Sequence, residues 1–95
     1  MFEWDKKKAA SNEAKHGTSF EEAATAFFDP AGIDGEDLVH SIMEERRYRL
    51  ARSAAGNLLV IVYTVRSRGH EKNIRIISAR LANRKEKSRY QKTQD

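Results

Sequence analysis

The sequence contains no cysteine and only one proline. Without cysteine, disulfide bonds and thiolate metal sites are excluded. Long apolar runs are missing as well, because no stretch approaches the roughly 18 residues that a membrane span requires. The beginning of the chain, "MFEWDKKK", also lacks the apolar core of a signal peptide. We therefore expect a soluble, cytoplasmic protein without a membrane partner.

Aromatic residues are few: one Trp, four Phe and three Tyr. Large apolar side chains supply most of the burial in a small protein, so these residues must carry much of the packing. A chain of 95 residues has the common size of one domain. The sequence therefore predicts a single domain that spans residues 1–95.

Acidic and basic residues are separated along the chain. The net charge is +4, but residues 1–45 carry 4 basic and 11 acidic side chains, whereas residues 46–95 carry 14 and 3. Such asymmetry indicates a basic surface that meets phosphate or an acidic partner, opposite an acidic surface. The alternative is that both halves only keep the protein in solution.

Two helices are predicted in the acidic half, after a possible short strand in "FEW". Asp5 can cap the first helix, and Gly17 marks its end. Ser19, with Glu22 three residues later, fits a capping box for the second helix, which Pro30 ends. Helical spacing then gives the second helix one apolar face, made of Phe20, Ala23, Ala24 and Phe27.

The basic half reads mainly as strands. Residues 46–53 alternate, which directs Tyr48 and Leu50 inward and Arg47 and Arg49 outward. The run "LLVIVYTVR" is apolar on both faces, as in a central strand, and "NIRIISA" is a further strand. We expect a polar hairpin loop at 67–72 between these two strands. Residues 31–44 read as an acidic loop, with a possible short strand near Leu38–His40.

A last helix is predicted at about 83–92, because Asn83 and Glu86 have the spacing of a capping box. It has no apolar stripe, so we expect a solvated basic face or a partner surface rather than a core helix. The expected fold is α+β, with two N-terminal helices, three to four antiparallel strands and a C-terminal helix.

The stretch "NIRIISAR" poses a question about Arg80. Strict alternation places Arg80 on the same face as Ile74 and Ile76, while Arg75 and Ile77 face the other way. A guanidinium is always charged and is costly to bury without a partner. Arg80 therefore either caps the strand end in solvent or meets an anion there.

Basic side chains are concentrated in the strands and the last helix. Converging arginines can clamp a phosphate, and aromatic rings can stack on a nucleobase. A nonspecific basic surface, or a surface for an acidic partner, explains the same composition. The residues that we expect to bind RNA are Arg52, Arg84, Lys85, Lys87 and Tyr63.

RNA can be cleaved by its own 2′-OH, which attacks the adjacent phosphorus. The protein then supplies a base, an acid and cations around the pentavalent phosphorane. Arg80 and Arg66 are the candidate cations, and His16, Glu86 and Tyr90 are the candidates for proton transfer. Each has an ordinary alternative: His16 can complement a helix dipole, Glu86 can complete the Asn83 cap, and Tyr90 can pack.

No metal site or cofactor is predicted. The three histidines have no ligand spacing between them, and "DGED" lacks the twelve-residue pattern of an EF-hand. The sequence also has no glycine-rich phosphate loop and no nucleophile elbow.

Several segments taken in order resemble the BrnT toxin family. The two most specific are "KHGTSFEEA" at 15–23 and "IRIISAR" at 74–80, at this separation. The others are "FEWD", "FFDP", "ERRY", the Arg-Ser pair at 52–53, "LLVIVYTVR" and the basic "ANRKEKSRY". Two departures are Ala51, where a glycine commonly precedes the Arg-Ser pair, and "SRGHEK", which is longer than the expected tight turn.

The resemblance implies a type II toxin with a fold similar to RelE-type ribonucleases. It implies metal-independent RNA cleavage that inhibits translation. It also implies neutralisation by a BrnA-type antitoxin, a ribbon-helix-helix protein that binds operator DNA, in a 2:2 complex. The alternative is a non-catalytic basic module that binds nucleic acid or an acidic protein.

Overall fold

A computed structural model describes residues 1–36 and 45–94, which form a five-stranded mixed sheet with three α-helices. The order of the strands across the sheet is β1-β5-β4-β3-β2. No helix in the described part of the chain is long and apolar enough to cross a bilayer. The strands are β1 (Phe2–Glu3), β2 (Ile33–Glu36), β3 (Arg47–Arg52), β4 (Leu58–Arg68) and β5 (Glu71–Leu81), and the helices are α1 (Lys6–His16), α2 (Phe20–Thr25) and α3 (Arg84–Lys92).

The predicted helix starts are confirmed. The Asp5 carboxylate accepts hydrogen bonds from the first turn of α1, and Gly17 ends the helix with φ of 72°. Ser19 caps α2, which is short and continues as a 3₁₀ turn at Ala26–Phe28. Asn83 and Glu86 form both hydrogen bonds of the capping box of α3.

The sheet is larger than predicted, and it is not wholly antiparallel. β1 pairs with β5 in parallel, whereas the other pairs are antiparallel. Residues 33–36 were expected in a loop but form an edge strand, because their backbone pairs with β3 and Ile33 lies opposite Leu50. The short strand suggested near Leu38–His40 lies outside the described residues.

The hairpin between β4 and β5 closes with a tight turn, so the longer loop expected at 67–72 is wrong. Ser67 pairs with Lys72 and Arg68 with Glu71, which leaves two residues in the turn. Gly69 takes φ of 62°, which suits a two-residue hairpin. The polar residues of "SRGHEK" therefore lengthen the strands instead of forming a loop.

Two hydrophobic cores lie on opposite faces of the sheet. The larger core lies under α1 and α2, and the smaller core lies under α3. The buried residues of the first are Phe20, Ala23, Ala26, Ala51, Leu59, Ile61, Ile76 and Ala79. Those of the second are Leu50, Leu58, Val60, Ala82 and Tyr90.

The third helix is therefore part of a core, contrary to the prediction. Only one of its side chains, Tyr90, is buried, and it is 5% exposed. A single aromatic ring leaves no periodic apolar stripe in the sequence, yet it can bury enough surface to hold a short helix on a sheet. The remaining residues of α3 keep the solvated basic face that was expected.

Arg49 points toward the α2 side of the sheet and is nearly buried, whereas alternation had suggested a solvated side chain. Its guanidinium donates to the carbonyls of Ala26 and Asp29 and pairs with Asp34. The side chain is 11% exposed. Burial is tolerable because its charge and several of its donors are satisfied.

A β-bulge in β5 changes the face on which Arg80 lies. Tyr63 pairs with Ile76 and Val62 pairs with Ser78, so Ile77 has no counterpart on β4. Residues after the bulge exchange faces relative to strict alternation. Ala79 joins Ile76 in the larger core, and Arg80 points to the α3 side. The predicted placement of Arg80 beside Ile74 and Ile76 is therefore wrong.

Candidate active site

Arg80 and Glu86 form a bidentate ion pair on the α3 side of the sheet. Nη1 and Nη2 of Arg80 donate to Oε1 and Oε2 of Glu86 at 2.8 and 2.9 Å. Asn83 fixes the carboxylate further, because its backbone N–H donates to Oε1 at 2.8 Å. The capping box at the start of α3 thus holds Glu86, the partner of Arg80 near the end of β5.

The ion pair leaves one edge of the guanidinium available. Glu86 occupies the end formed by the two terminal nitrogens, and Nη1 also donates to the carbonyl of Leu81 at 3.2 Å. Among the described residues, no group accepts from Nε of Arg80. An arginine offers five N–H donors, and its Nε–Nη2 edge can still grip a phosphate or carboxylate with two bonds. The Arg80 side chain is 41% exposed, so a ligand can reach it.

The electrostatics of the pair keep both groups charged. Hydrogen bonds from Arg80 lower the pKa of Glu86 against the opposing effect of burial. The same carboxylate raises the pKa of Arg80, although burial acts in the other direction. Glu86 is therefore ionised at neutral pH and accepts three hydrogen bonds. A carboxylate held in this way is a weak base, so Glu86 is better suited to orienting Arg80 than to accepting a proton.

A cavity of about 420 Å³ opens on the same side of the sheet, and Leu81 and Lys87, which follow Arg80 and Glu86 in the chain, contribute to its lining. Arg52 and Lys87 bring positive charge to it, and Leu58 and Ala82 give it an apolar floor. Its remaining lining consists of Gly56, Asn57, Leu81 and Gln91. This cavity and the Arg80–Glu86 pair together form the candidate active site.

Tyr90 is buried in the smaller core together with Leu58 and Ala82 of the cavity floor. Its hydroxyl donates to Asp29 at 2.7 Å, and the Arg52 guanidinium lies over its ring at 5.4 Å. Burial and the hydrogen bond to Asp29 raise the pKa of the Tyr90 hydroxyl. The tyrosine thus ties α3 to the residue that precedes Pro30.

Asp29 was not predicted as part of this region. Its carboxylate accepts from Tyr90 and from the backbone N–H groups of Arg52 and Ala31. The sequence signal was the Asp-Pro pair, which was read only as a helix end. Arg89, a further cation of the basic last helix, donates to the Tyr48 hydroxyl at 2.9 Å.

His16 ends α1, a helix that packs on the face of the sheet opposite α3. It lines a groove of about 240 Å³ together with Ile77 and Ser78. Ser78 is two residues from Arg80 on the same face. Asn12 holds α1 in this position, because its amide exchanges two hydrogen bonds with the backbone of Ala79.

The other predicted residues divide by location. Arg84 and Lys85 are exposed in the first turn of α3, close to Glu86 in sequence. Arg66 lies on β4 six residues beyond Val60, the partner of Arg80. That separation is about 20 Å along the strand, so Arg66 and Arg80 do not converge.

Tyr63 lies on the opposite face of the sheet. Its ring packs edge-on against Phe27 at 5.0 Å, and its hydroxyl donates to Asp34 at 2.8 Å. Burial and the bond to Asp34 raise the pKa of Tyr63 to about 12. With 6% of its surface exposed, Tyr63 offers no stacking platform at the Arg80 site.

No group of three or more metal-ligating side chains was found in residues 1–36 and 45–94. A sequence model of a protein family, described as ribonuclease toxin, BrnT, of type II toxin–antitoxin systems, matches residues 4–86. The match covers most of the chain, including Arg80 and Glu86. No curated protein matches the sequence.

Proposed function

The chain belongs to the BrnT family of ribonuclease toxins from type II toxin–antitoxin systems, and from this premise we propose that it cleaves RNA on the α3 side of its sheet. The reaction is attack of a 2′-OH on the adjacent phosphorus, with departure of the 5′-oxygen. It needs no metal, and in the cell it inhibits translation. The fold is proposed to be of the RelE type.

Arg80 stabilises the charge that develops on the phosphorane. Its Nε–Nη2 edge contacts two non-bridging phosphate oxygens, while Glu86 holds the opposite end of the guanidinium. Preorganisation of this kind acts in the transition state without a cost of reorientation. The observation that carries the proposal is this partnered yet accessible arginine beside a basic cavity.

His16 is the proposed proton-transfer residue. It lines a groove together with Ser78, which lies two residues before Arg80 on β5. Glu86 positions Arg80, and Tyr90 anchors α3, because the Glu86 carboxylate accepts three hydrogen bonds and the Tyr90 hydroxyl is buried against Asp29. Substitution of His16 by alanine is expected to slow cleavage while RNA binding persists.

RNA binding is assigned to the cations around the pair. Arg52 and Lys87 border the cavity, and Arg84 and Lys85 extend the positive surface along the exposed turn of α3. Contacts of this kind to phosphate are independent of sequence and weaken as salt rises. Neither Arg66 nor Tyr63 belongs to this proposed surface.

Substitution of Arg80 by alanine tests the proposed centre. We expect cleavage to fall at least about 100-fold, the usual loss when one stabilising donor is removed. Arg75→Ala is the matched control, because Arg75 lies on the same strand and face and also pairs with a glutamate, Glu3, at 2.8 Å. It should retain activity. A folded Arg80→Ala protein with undiminished cleavage and growth inhibition would refute the role of Arg80.

Purified toxin without antitoxin, incubated with total RNA in EDTA, tests the reaction itself. We expect fragments that end in 2′,3′-cyclic phosphate. Intact RNA, together with salt-dependent RNA binding, would instead support a non-catalytic basic module. Cleavage only after Mg²⁺ is added would contradict the metal-independent route.

Membership of a type II toxin–antitoxin family implies a protein antitoxin. We propose that it is of the BrnA type, with a ribbon-helix-helix region that contacts operator DNA, in a 2:2 complex. The antitoxin is expected to cover the basic face and block Arg80. Retained RNA cleavage by the purified complex would count against this mode of neutralisation.

A further inference from the structure

We propose that the cavity beside Arg80 binds one nucleobase of the RNA and selects which phosphodiester is cleaved. This inference rests on the proposed ribonuclease function and adds a specificity site to it. The residues assigned to base selection are Gln91 and Lys87, with Asn57 as a further polar contact.

The size and lining of the cavity fit a nucleoside. Its volume is about 420 Å³, which lies in the range of small-ligand sites. Leu58 and Ala82, which are 7% and 6% exposed, form an apolar floor on which the faces of a base can lie. Polar side chains surround this floor, which is the usual arrangement where a flat heterocycle is held and oriented.

The polar groups are suited to reading base edges. An amide side chain offers both a donor and an acceptor, so it can match the mixed edge of a base, whereas an ammonium group only donates. Within the described part of the chain, no protein group bonds the amide of Gln91 or the ammonium of Lys87. The Asn57 amide is already oriented, because its nitrogen donates to Glu22 at 2.8 Å.

The cavity and Arg80 lie on the same side of the sheet. Leu58, on the cavity floor, and Val60, the partner of Arg80 on β4, both belong to the smaller core under α3. Two residues of a strand span about 7 Å. A base seated in the cavity therefore belongs to a nucleotide close to the phosphate held by Arg80.

The experiment maps cleavage sites on a pool of RNA oligonucleotides with randomised sequence. Wild-type protein is compared with Gln91→Ala and Lys87→Ala. Gln94→Ala and Lys92→Ala are the matched controls, because Gln94 and Lys92 carry the same side chains on or just after α3 but do not line the cavity. Thermal unfolding of each variant confirms that the exposed substitutions leave the fold intact.

We expect the wild type to prefer particular bases at one position next to the scissile bond. Gln91→Ala should reduce that preference about fivefold, the effect of one lost hydrogen bond, and Gln94→Ala should leave it unchanged. A uniform base distribution with wild-type protein would overturn the inference, as would a preference that survives in both cavity variants. Both of these results would leave the proposed ribonuclease function unaffected. Intact RNA after incubation with wild-type protein would refute the ribonuclease function as well.

Discussion

Asp29 joins three parts of the protein through one carboxylate. It accepts from the Tyr90 hydroxyl of α3, from the backbone of Arg52 at the end of β3, and from the backbone of Ala31. Buried polar groups are stable only when they are hydrogen-bonded, and this carboxylate satisfies all three donors. The position of α3, and therefore of Glu86, depends on this residue.

Tyr90→Phe separates anchoring from proton transfer. Loss of the hydroxyl removes one hydrogen bond to Asp29, so we expect the free energy of unfolding to fall by about 1 kcal/mol. Cleavage should remain close to wild type, because the ring still packs under α3. A loss of activity of about 100-fold or more, with the fold preserved, would instead identify Tyr90 as a general acid. Urea unfolding and single-turnover cleavage assays measure the two effects.

Acid should destabilise the protein through Asp29 and Glu86. Burial alone would raise the pKa of Asp29, but hydrogen bonds from Tyr90, Arg52 and Ala31 lower it below the ordinary value of 3.8. The bond from Arg80 lowers the pKa of Glu86 below 4.5. A lowered folded-state pKa adds stability above the unfolded-state pKa, and this stability is lost as the pH falls through the folded value.

The free energy of unfolding should therefore be nearly level from neutral pH down to about pH 5 and decline below that. Asp29→Asn removes one of the two titrating groups, so its deficit relative to wild type should shrink as the pH falls below 3.8. Urea unfolding at a series of pH values measures this deficit. Parallel curves for the two proteins would show that Asp29 does not contribute.

At the scale of elements, the bulge at Ile77 decides which face carries the reactive arginine. Before it, Ile74 and Ile76 face the α2 side, and after it Ala79 does so in place of Ser78. If Ile77 were paired in a regular ladder, alternation would direct Arg80 toward the core that holds Phe20. Because of the bulge, side chains of β5 pack in the larger core along the strand, while Arg80 near its end points to the candidate site.

Deletion of Ile77 tests this reading. Because the ladder already skips Ile77, its removal should leave the register and the face of Arg80 unchanged. We expect a folded, active protein that loses about 1 kcal/mol of stability from the missing apolar contacts. Circular dichroism, thermal unfolding and RNA cleavage measure the outcome.

Deletion of Ala79 is the matched control. It moves Arg80 into the position opposite Ile61, in the buried core, where an unpaired guanidinium costs several kcal/mol. This variant should be insoluble or unfolded. Equal damage from the two deletions would show that the bulge residue is essential to the ladder.

At the scale of the whole molecule, ion pairs within the protein neutralise part of the charge asymmetry between the two halves of the chain. Acidic residues of the first half pair with basic residues of the second: Asp34 with Arg49, and Glu3 with Arg75 and Arg68. These pairs join the outer strands to the sheet. The positive charge of Arg52, Lys87 and the exposed face of α3 remains for an external ligand.

Arg49→Met should weaken the whole fold. The Arg49 side chain is 11% exposed and donates to the carbonyls of Ala26 and Asp29 and to the Asp34 carboxylate, so its replacement removes three hydrogen bonds, one of them to a charged group. We expect a loss of at least about 2 kcal/mol in the free energy of unfolding. Arg47→Met is the control, because its pair with Glu45 lies at the surface and should contribute little. Equal losses in urea unfolding would refute the structural role of Arg49.

Some of the candidate site was accessible from the chain alone. Arg80, Arg52 and Lys87 can be predicted because arginine and lysine in a basic, strand-rich half are typical of phosphate sites, and Glu86 because a carboxylate can transfer protons. Arg66 is predicted as a cation and Tyr63 as a stacking ring, yet Tyr63 lies on the opposite face and Arg66 lies far along β4. The type of a residue indicates which chemistry its side chain can perform. It does not indicate how far apart two residues that are remote in sequence lie in the fold.

The sequence by itself determined the local structure: the caps at Asp5, Ser19 and Asn83, the stop at Gly17, and the central strand in "LLVIVYTVR". Each depends on interactions within a few residues, which a linear pattern records. Only the tertiary structure decided the parallel place of β1, the edge strand β2, the burial of Arg49 and the face of Arg80. These depend on pairing across the sheet, where one unpaired residue, Ile77, reverses the face of every side chain that follows.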